Sequence, residues 1–196
     1  EIVEVAGMGT TRAGEYPNDP SFGAQWSLLN KGNATDVLGA EGFISPDARA
    51  GADINVVPAW ELSKGNSDII VAIVDNGVDY NHEDLKANML VNEAELNGVE
   101  GVDDDENGYV DDIYGYNFAT NGRVSWGRDG DSGHGTHVAG TVAAVNNNGI
   151  GVVGVAGGSG SGDGVRIFSA QIFSGKQTAG YDATAQAAEY AADNGA

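Results

Sequence analysis

The clearest pattern along the chain is a short apolar run that stops at a carboxylate. Residues 69–74 read Ile-Ile-Val-Ala-Ile-Val and pass directly into Asp75-Asn-Gly. A β-branched apolar run of this length, without alternating polar side chains, predicts a strand of a parallel sheet that is buried on both faces. We therefore expect a strand over 69–74 that presents Asp75 at its carboxyl end, where α/β folds place their functional sites.

A second apolar run follows a histidine that stands among small residues. His134 begins the sequence His-Gly-Thr-His, and residues 138–145 then read Val-Ala-Gly-Thr-Val-Ala-Ala-Val. These small side chains predict a tightly packed, buried helix, and His134 would lie at its N-terminus. The chain thus offers first an aspartate and then a histidine, each at the end of a buried element.

Weaker patterns predict the other elements of an α/β fold. The expected elements are a short helix over 53–62 with Trp60 and Leu62 packed inward, strands over 152–156 and 165–173, and a helix over 183–193 with Asp182 as N-cap and Gly195 at its end. Strands and helices in this order indicate a central, mainly parallel sheet flanked by helices. The glycine-rich run 157–164 lacks the lysine of a phosphate-binding loop and precedes a strand, so we interpret it as a connector.

Composition narrows the class of protein and of partner. The 196 residues include 41% hydrophobic and 19% charged side chains and 31 glycines, which is typical of one globular domain or part of one. A net charge of −20 argues against nucleic acid and anionic membranes as partners. The absence of cysteine excludes disulfides, thiolate catalysis and thiolate zinc sites.

Asp75 and His134 together indicate one kind of chemistry. An aspartate that orients a histidine, in the order Asp then His, makes two of the three members of a serine-hydrolase triad. Zinc bound by His134 and His137 is the alternative, but the sequence offers no third ligand, and we interpret His137 and His82 as structural residues. Ser132 is too close to His134 along the chain to attack through that ring.

Residues 103–112 form a second unusual segment, Asp-Asp-Asp-Glu-Asn-Gly-Tyr-Val-Asp-Asp. Oxygen ligands at alternate positions, with a glycine at the sixth, match the first half of a calcium loop of the EF-hand type. The expected ligands are the side chains of Asp103, Asp105 and Asn107, the carbonyl of Tyr109, and Asp111 or Asp112 in place of the usual glutamate. A solvated acidic loop is the alternative, although acidity alone would not require Gly108.

The two catalytic candidates stand in longer motifs that resemble a known family. Asp75-Asn-Gly-Val-Asp79, with His82-Glu-Asp-Leu85 behind it, and His134-Gly-Thr-His-Val-Ala-Gly140 resemble the Asp and His signatures of subtilisin-like serine proteases, the peptidase S8 family. The resemblance runs from about Asn18 to Ala196 and is thermitase-like at its start. It implies a subtilisin-like three-layer α/β fold and a serine endopeptidase in which Asp75 and His134 belong to the triad.

One part of the family pattern is missing from this sequence. The Gly-Thr-Ser-Met-Ala segment that holds the nucleophile is absent, as is the oxyanion asparagine. We expect residues 18–196 to be the N-terminal part of a peptidase domain, and residues 1–17 to be an N-terminal arm or a propeptide remnant. The serine would lie on a following segment or a separate chain, and these residues alone would be inactive.

The resemblance also implies a calcium site and a substrate-binding strand. In this family a loop after the histidine helix holds calcium with carbonyls, an asparagine and an aspartate. The residues implied here are Asp19, Asp84, Asn147 or Asn148, and the carbonyls of Val145, Ile150 and Val152. A peptide substrate would pair with the edge strand formed by Gln177, Thr178, Ala179 and Gly180.

The expected protein is secreted or belongs to the cell envelope, with calcium as its cofactor. Its partners would be peptide or protein substrates and the segment that bears the serine, but neither nucleic acid nor a membrane. A calcium-stabilised peptide-binding module, or a pseudoenzyme, is the alternative function. Because a pure binder has no need of both Asp75 and His134, the sequence favours the enzyme.

Overall fold

The computed structural model describes residues 16–32, 49–127 and 133–196. Ser132 and all but the last two residues of the arm expected over 1–17 lie outside these ranges. Within them, no helix has the length and apolar character needed to cross a membrane.

Helices and strands follow one another along the described chain. The helices are α1 (Val56–Ala59), α2 (Glu93–Asn97), α3 (His134–Ala143) and α4 (Tyr181–Asp193), with 3-10 helices at Phe22–Ala24 and Lys86–Asn88. The strands are β1 (Ile70–Asp75), β2 (Gly115–Asn117), β3 (Gly122–Arg123), β4 (Arg166–Gln171), β5 (Phe173–Ser174) and β6 (Gln177–Thr178). The expected strand before Asp75 and the expected helix after His134 are both confirmed.

A sheet in the strand order β1-β4-β2-β3 forms the centre of the described structure. β1 and β4 are parallel and in register from Ile70 opposite Arg166 to Asp75 opposite Gln171. β2 is also parallel to β4, and only the two-residue β3 runs antiparallel to its neighbour. The expected mainly parallel sheet is confirmed, and its carboxyl edge brings Asp75 and Gln171 together.

Helices cover both faces of this sheet. Successive residues of a strand point to opposite faces, so each strand contributes side chains to two separate clusters. On one face, Ile73 and Ile167 belong to a buried cluster with Ala139 of α3. On the other face, Phe168 packs with Tyr190 of α4. The expected three-layer arrangement is therefore present, and α3 packs against β1.

The strand expected over 152–156 is wrong. This segment has no strand partner; its amides instead donate to the end of α3, from Gly154 to the carbonyl of Ala144 and from Val155 to that of Thr141. The last carbonyls of a helix lack intrahelical donors, and an extended apolar segment satisfies them here. The helix itself ends at Ala143, two residues before the expected Val145.

The helix expected over 53–62 is shorter than the pattern suggested. Trp60 is buried, as expected, and its indole N–H donates to the carbonyl of Val155 at 2.8 Å. The inward packing expected for Leu62 is wrong, because this side chain is 92% exposed. Asp53 explains the late start: its carboxylate accepts the amide of Asn55 at 2.8 Å and so holds a turn ahead of α1.

The last helix begins one residue before the expected cap. Gly180 is its N-cap, and the Gly180 carbonyl accepts both the amide and the hydroxyl of Thr184. The N-cap role expected for Asp182 is therefore wrong, and this residue lies in the first turn. The expected end at Gly195 is confirmed: Gly195 has φ +85° and donates to the carbonyl of Ala192, which closes the helix.

Candidate functional site

The end of β1 and the start of α3 bring Asp75 and His134 into contact. Nδ1 of His134 lies 2.8 Å from Oδ2 and 2.9 Å from Oδ1 of Asp75. The side chain of Asp75 is 15% exposed and that of His134 is 65% exposed. When Nδ1 carries the proton and donates a hydrogen bond to Asp75, Nε2 is left as a proton acceptor.

Small and polar residues allow this close approach of helix to strand. A Cβ atom on Gly135 would lie 2.4 Å from the carbonyl oxygen of Gly77, so only glycine fits there without a backbone shift. The amide of Gly135 donates to Oδ1 of Asn76 at 2.8 Å, and the amide of Asp79 donates to the hydroxyl of Thr136 at 2.9 Å. The first turn of α3 is thus joined directly to the loop after β1.

Gln171, which sequence reasoning missed, connects this loop to its surroundings. Its buried amide Nε2 donates to the carbonyls of Asn76 at 3.1 Å and of Phe173 at 2.9 Å. Its Oε1 accepts the amide of Ser125 at 2.9 Å. A lone amide side chain inside the apolar run of β4 was the signal that could have identified it, because buried amides need partners.

The four residues expected to bind substrate lie on and after a short exposed hairpin. β5 and β6 are antiparallel, with Ser174 opposite Gln177 and Phe173 opposite Thr178. Gln177 and Thr178 are both exposed, and the amide of Ala179 donates to the carbonyl of Ile172. Among the described residues, β5 is the sole strand partner of β6, so its other edge is open to an extended chain.

Three carboxylates of the acidic segment and its neighbour α2 converge. Glu95, Asp103 and Asp105 each offer an oxygen atom, and these atoms lie within 4.8 Å of one another. Asp103 also accepts the amides of Asn107 and Gly108, at 3.0 and 2.8 Å, which curls the segment into a loop. Three clustered carboxylates suit a hard cation such as calcium, which takes oxygen ligands.

Glu95 is the member of this group that sequence reasoning missed. It is 4% exposed, and its carboxylate accepts the amides of Asp104 and Asp111 at 2.6 and 2.7 Å. It precedes the acidic segment by eight residues, so no spacing rule within the segment includes it. The sequence signal was a short acidic helix that is capped by Asn92, whose Oδ1 accepts the amide of Ala94.

The structure does not bring Asp111 and Asp112 into this carboxylate group. Asp111 binds Arg123 at 2.8 Å, and this hydrogen bond lowers the pKa of its carboxyl group. Asp112 is buried, which raises the pKa of its carboxyl group, and it accepts hydrogen bonds from Asn92, Asn107 and the hydroxyl of Tyr190. The ring of Tyr109 also packs against Tyr190, with centroids 4.8 Å apart.

A pair of buried carboxylates lies beside the loop after α3 and forms a second cluster. Asp84 is 1% exposed, and it accepts Nδ2 of Asn148 at 2.7 Å and the amide of Val152 at 3.0 Å. Asp19 is 4% exposed, and its Oδ2 accepts the amide of Asn147 at 2.8 Å. The side chain that reaches Asp84 is therefore Asn148, and Asn147 contributes its backbone.

The electrostatics of this pair would favour a bound cation. Oδ1 of Asp19 is buried without a hydrogen-bond partner. Burial raises the pKa of Asp84, and the negative charge of Asp19 raises it further. The backbones expected to add carbonyl ligands belong to the same loop: the amide of Ile150 donates to Asn148 and that of Val145 to the carbonyl of Asp84. An unpartnered buried oxygen beside a second carboxylate is the setting in which calcium binds.

Comparison with known proteins gives one consistent family. The profile of the subtilase family, peptidase S8, matches residues 66–196. Subtilisin-like protease 1 of Plasmodium berghei is 54% identical over 85 residues, which cover 43% of this chain and 14% of that protein. Neuroendocrine convertase 2 of Bos taurus is 37% identical over 145 residues, or 72% of this chain and 18% of that protein.

Solved structures agree on the fold. A serine protease of Aeromonas sobria in complex with its chaperone superimposes with a TM-score of 0.59 at 24% identity, over 94% of this chain and 24% of that chain. A protease of Pseudoalteromonas arctica gives a TM-score of 0.51 at 30% identity, over 87% of this chain and 42% of that chain. The chain spans less than a fifth of the length of the two curated relatives named above, the Plasmodium berghei and Bos taurus proteins.

Proposed function

This chain belongs to the subtilase family, and from that premise we propose that it supplies the aspartate and histidine of the Asp-His-Ser triad of a serine endopeptidase. The observation that carries the proposal is the contact of 2.8 Å between His134 Nδ1 and Asp75 Oδ2. Asp75 fixes the ring and stabilises the imidazolium ion, while Nε2 of His134 accepts the proton of the nucleophile.

The nucleophilic serine comes from a segment outside these 196 residues. The exposed ring of His134 leaves Nε2 accessible to a hydroxyl that is brought in by that segment. His134 would take the hydroxyl proton as serine attacks the peptide carbonyl, and would then give it to the leaving amine. Residues 18–196 would then be the first part of a peptidase domain.

An extended peptide would bind along the open edge of β6. Gln177 and Thr178 would exchange main-chain hydrogen bonds with the substrate, and the backbone at Ala179 and Gly180 would continue the contact. Main-chain pairing supplies affinity without selecting a sequence, so side-chain pockets would determine which peptides are cut.

Calcium would bind at the two carboxylate clusters and stabilise the fold. The first cluster would use the side chains of Glu95, Asp103, Asp105 and Asn107 and the carbonyl of Tyr109. The second would use the side chains of Asp19, Asp84 and Asn148 and the carbonyls of Val145, Ile150 and Val152. The ion supplies positive charge that offsets the repulsion between carboxylates. We also propose a secreted or cell-envelope location, where calcium concentrations of about 10⁻⁴–10⁻³ M would suffice for weak sites of this kind.

The proposal is tested on the full-length protein with a fluorophosphonate label and a peptide substrate. His134→Ala should lower kcat by about 10⁴-fold or more, since loss of the base disables the whole triad. His137→Ala is the matched control, because this exposed residue lies on the same helix, one turn further along. A wild-type protein that binds peptides but neither reacts with the label nor cuts them would instead be the binding module.

A further inference from the structure

The helix that carries His134 begins without a cap of its own. Its N-cap is Gly133, which has φ +67° and no side chain to accept the amides of the first turn. Those amides have no acceptor within the helix, so they need one from elsewhere. The amide of Gly135 finds it in Asn76, whose Oδ1 lies 2.8 Å away on the loop after β1.

Asn76 is well placed to serve as this cap because its backbone is held on both sides. Its amide donates to Oδ1 of Asp75 at 2.7 Å, and its carbonyl accepts Nε2 of Gln171 at 3.1 Å. Gln171 is completely buried. One residue therefore contacts the carboxylate that orients the ring and also the helix that carries it.

The position of the His134 ring depends on this connection. The ring is 65% exposed, so packing within the described residues does not hold it. The hydrogen bonds from Nδ1 of His134 to Asp75, and the place where α3 begins relative to β1, set where Nε2 lies. A bond from the amide of Asp79 to the hydroxyl of Thr136 is the other described hydrogen bond between the loop and the first turn.

We propose that Asn76 is a positioning residue for His134: from the loop after β1, its side chain supplies the capping acceptor that the N-cap Gly133 lacks. Its side-chain oxygen holds the first turn of α3 against the end of β1, so that the ring meets Asp75 in one geometry. The kinetic consequence rests on the proposed function, whereas the geometric consequence does not.

The experiment compares Asn76→Ala with Asn76→Asp in the full-length protein. Asn76→Ala removes the acceptor, and kcat should fall about 10- to 100-fold with little change in KM, because the base is misplaced while substrate contacts stay. Asn76→Asp keeps an oxygen at the same position and should recover much of this loss. Asn81→Ala, at an exposed position in the same loop, is the control and should behave as wild type.

Two structural readouts decide the inference even if the protein cuts no peptide. Amide hydrogen exchange at Gly135 should become at least about tenfold faster in Asn76→Ala and stay protected in Asn76→Asp. The far-downfield proton resonance of His134 Nδ1, which reports its hydrogen bond to Asp75, should weaken in the first variant and persist in the second. Unchanged exchange and resonance in Asn76→Ala would overturn the inference, as would faster exchange with kcat unaltered. Absence of activity in the wild type would overturn only the proposed function.

Discussion

Single residues show where the protein places unfavourable charge. Asp19 carries a buried oxygen without a partner, and Asp84 is buried beside it, with a pKa raised by desolvation and by the charge of Asp19. A buried, unpaired carboxylate destabilises a fold. The amides of Asn147 and Val152 offset only part of that cost, so a cation at this position would have a large effect on stability.

Two glycines on one helix should respond in opposite ways to alanine. In Gly135→Ala the new methyl group would lie 2.4 Å from the Gly77 carbonyl, so the helix must move and we expect a loss of about 1–3 kcal/mol and a lower kcat. In Gly140→Ala the nearest atom is 4.0 Å away, so the better helix propensity should stabilise the protein by about 0.5–1 kcal/mol. Urea unfolding and peptide hydrolysis measure both effects. Equal behaviour of the two variants would contradict the close approach of α3 to β1.

The loop before β4 contains a carboxylate, that of Asp163, which should stabilise the fold only above acidic pH. The hydroxyl and amide of Ser159 lower the pKa of Asp163 from 3.8 to about 2. Because the folded-state pKa is depressed, the stabilisation is complete above the ordinary value and is lost as pH falls towards about 2. Asp163→Asn should therefore cost at most about 1 kcal/mol near neutral pH, since the group is exposed, and nothing at the acidic end.

Unfolding curves measured from neutral pH down to about pH 2 test the prediction for Asp163→Asn. Asp68→Asn changes another exposed aspartate and serves as the control. A difference between Asp163→Asn and wild type that stays constant as the pH falls would show that the Ser159 hydrogen bonds do not depend on the charge of Asp163.

At the scale of elements, the acidic segment and α4 are joined by buried hydrogen bonds. Tyr190, which is 3% exposed, donates to Asp112 at 2.8 Å, and Asn107 donates to both Asp112 and Asp105. Desolvation strongly raises the pKa of Tyr190, so the hydroxyl remains a donor. The helix that follows the β5–β6 hairpin is thus connected to the proposed calcium loop.

Tyr190→Phe should weaken this connection without creating a cavity. It leaves the buried carboxylate of Asp112 with one donor fewer, which should cost about 1–3 kcal/mol, and it should lower the apparent calcium affinity of the loop. Tyr181→Phe on the same helix is the control, because that side chain is 97% exposed. Thermal unfolding and calcium titration measure both. A variant as stable as wild type would show that the bond has no net effect.

The sequence predicted the elements whose pattern is local and missed those whose partners are distant. β1 and α3 could be predicted because each contains a continuous apolar run, which is buried whichever element packs against it. Residues 152–156 have the composition of a strand, but the free carbonyls at the end of α3 take their amides. Asp182 has the side chain of a cap, but the carbonyl of Gly180 already accepts the first helical bond.

At the scale of the whole molecule, acidity and the carboxylate clusters act together. With a net charge of −20, the folded chain repels itself, and two clusters place part of this charge at short range. The sequence predicted the first cluster because Asp103 and Asp105 are close together in the chain, but it did not predict Glu95. The second cluster joins positions as far apart as Asp19 and Asn148, and it followed from a family resemblance instead of from spacing.

Removal of calcium should therefore lower the melting temperature. An ion present at 100 times its dissociation constant stabilises the folded state by about 2.7 kcal/mol. Asp84→Asn and Glu95→Gln should each remove part of the calcium-dependent increase, and Glu83→Gln, at the exposed neighbour of Asp84, should remove none. A melting temperature that excess chelator leaves unchanged after long incubation would contradict both proposed sites.

The parallel register of β1 with β4 limits how the chain can change in length. Odd-numbered residues of β1, such as Ile73, face α3, and even-numbered ones, such as Ala72, face α4. Deleting one residue within this strand would exchange the two sets and turn the carboxylate of Asp75 away from His134. The exposed tip of the connector, residues 159–161, has no such parity, so insertions and deletions should accumulate there while the count of residues in β1 stays fixed.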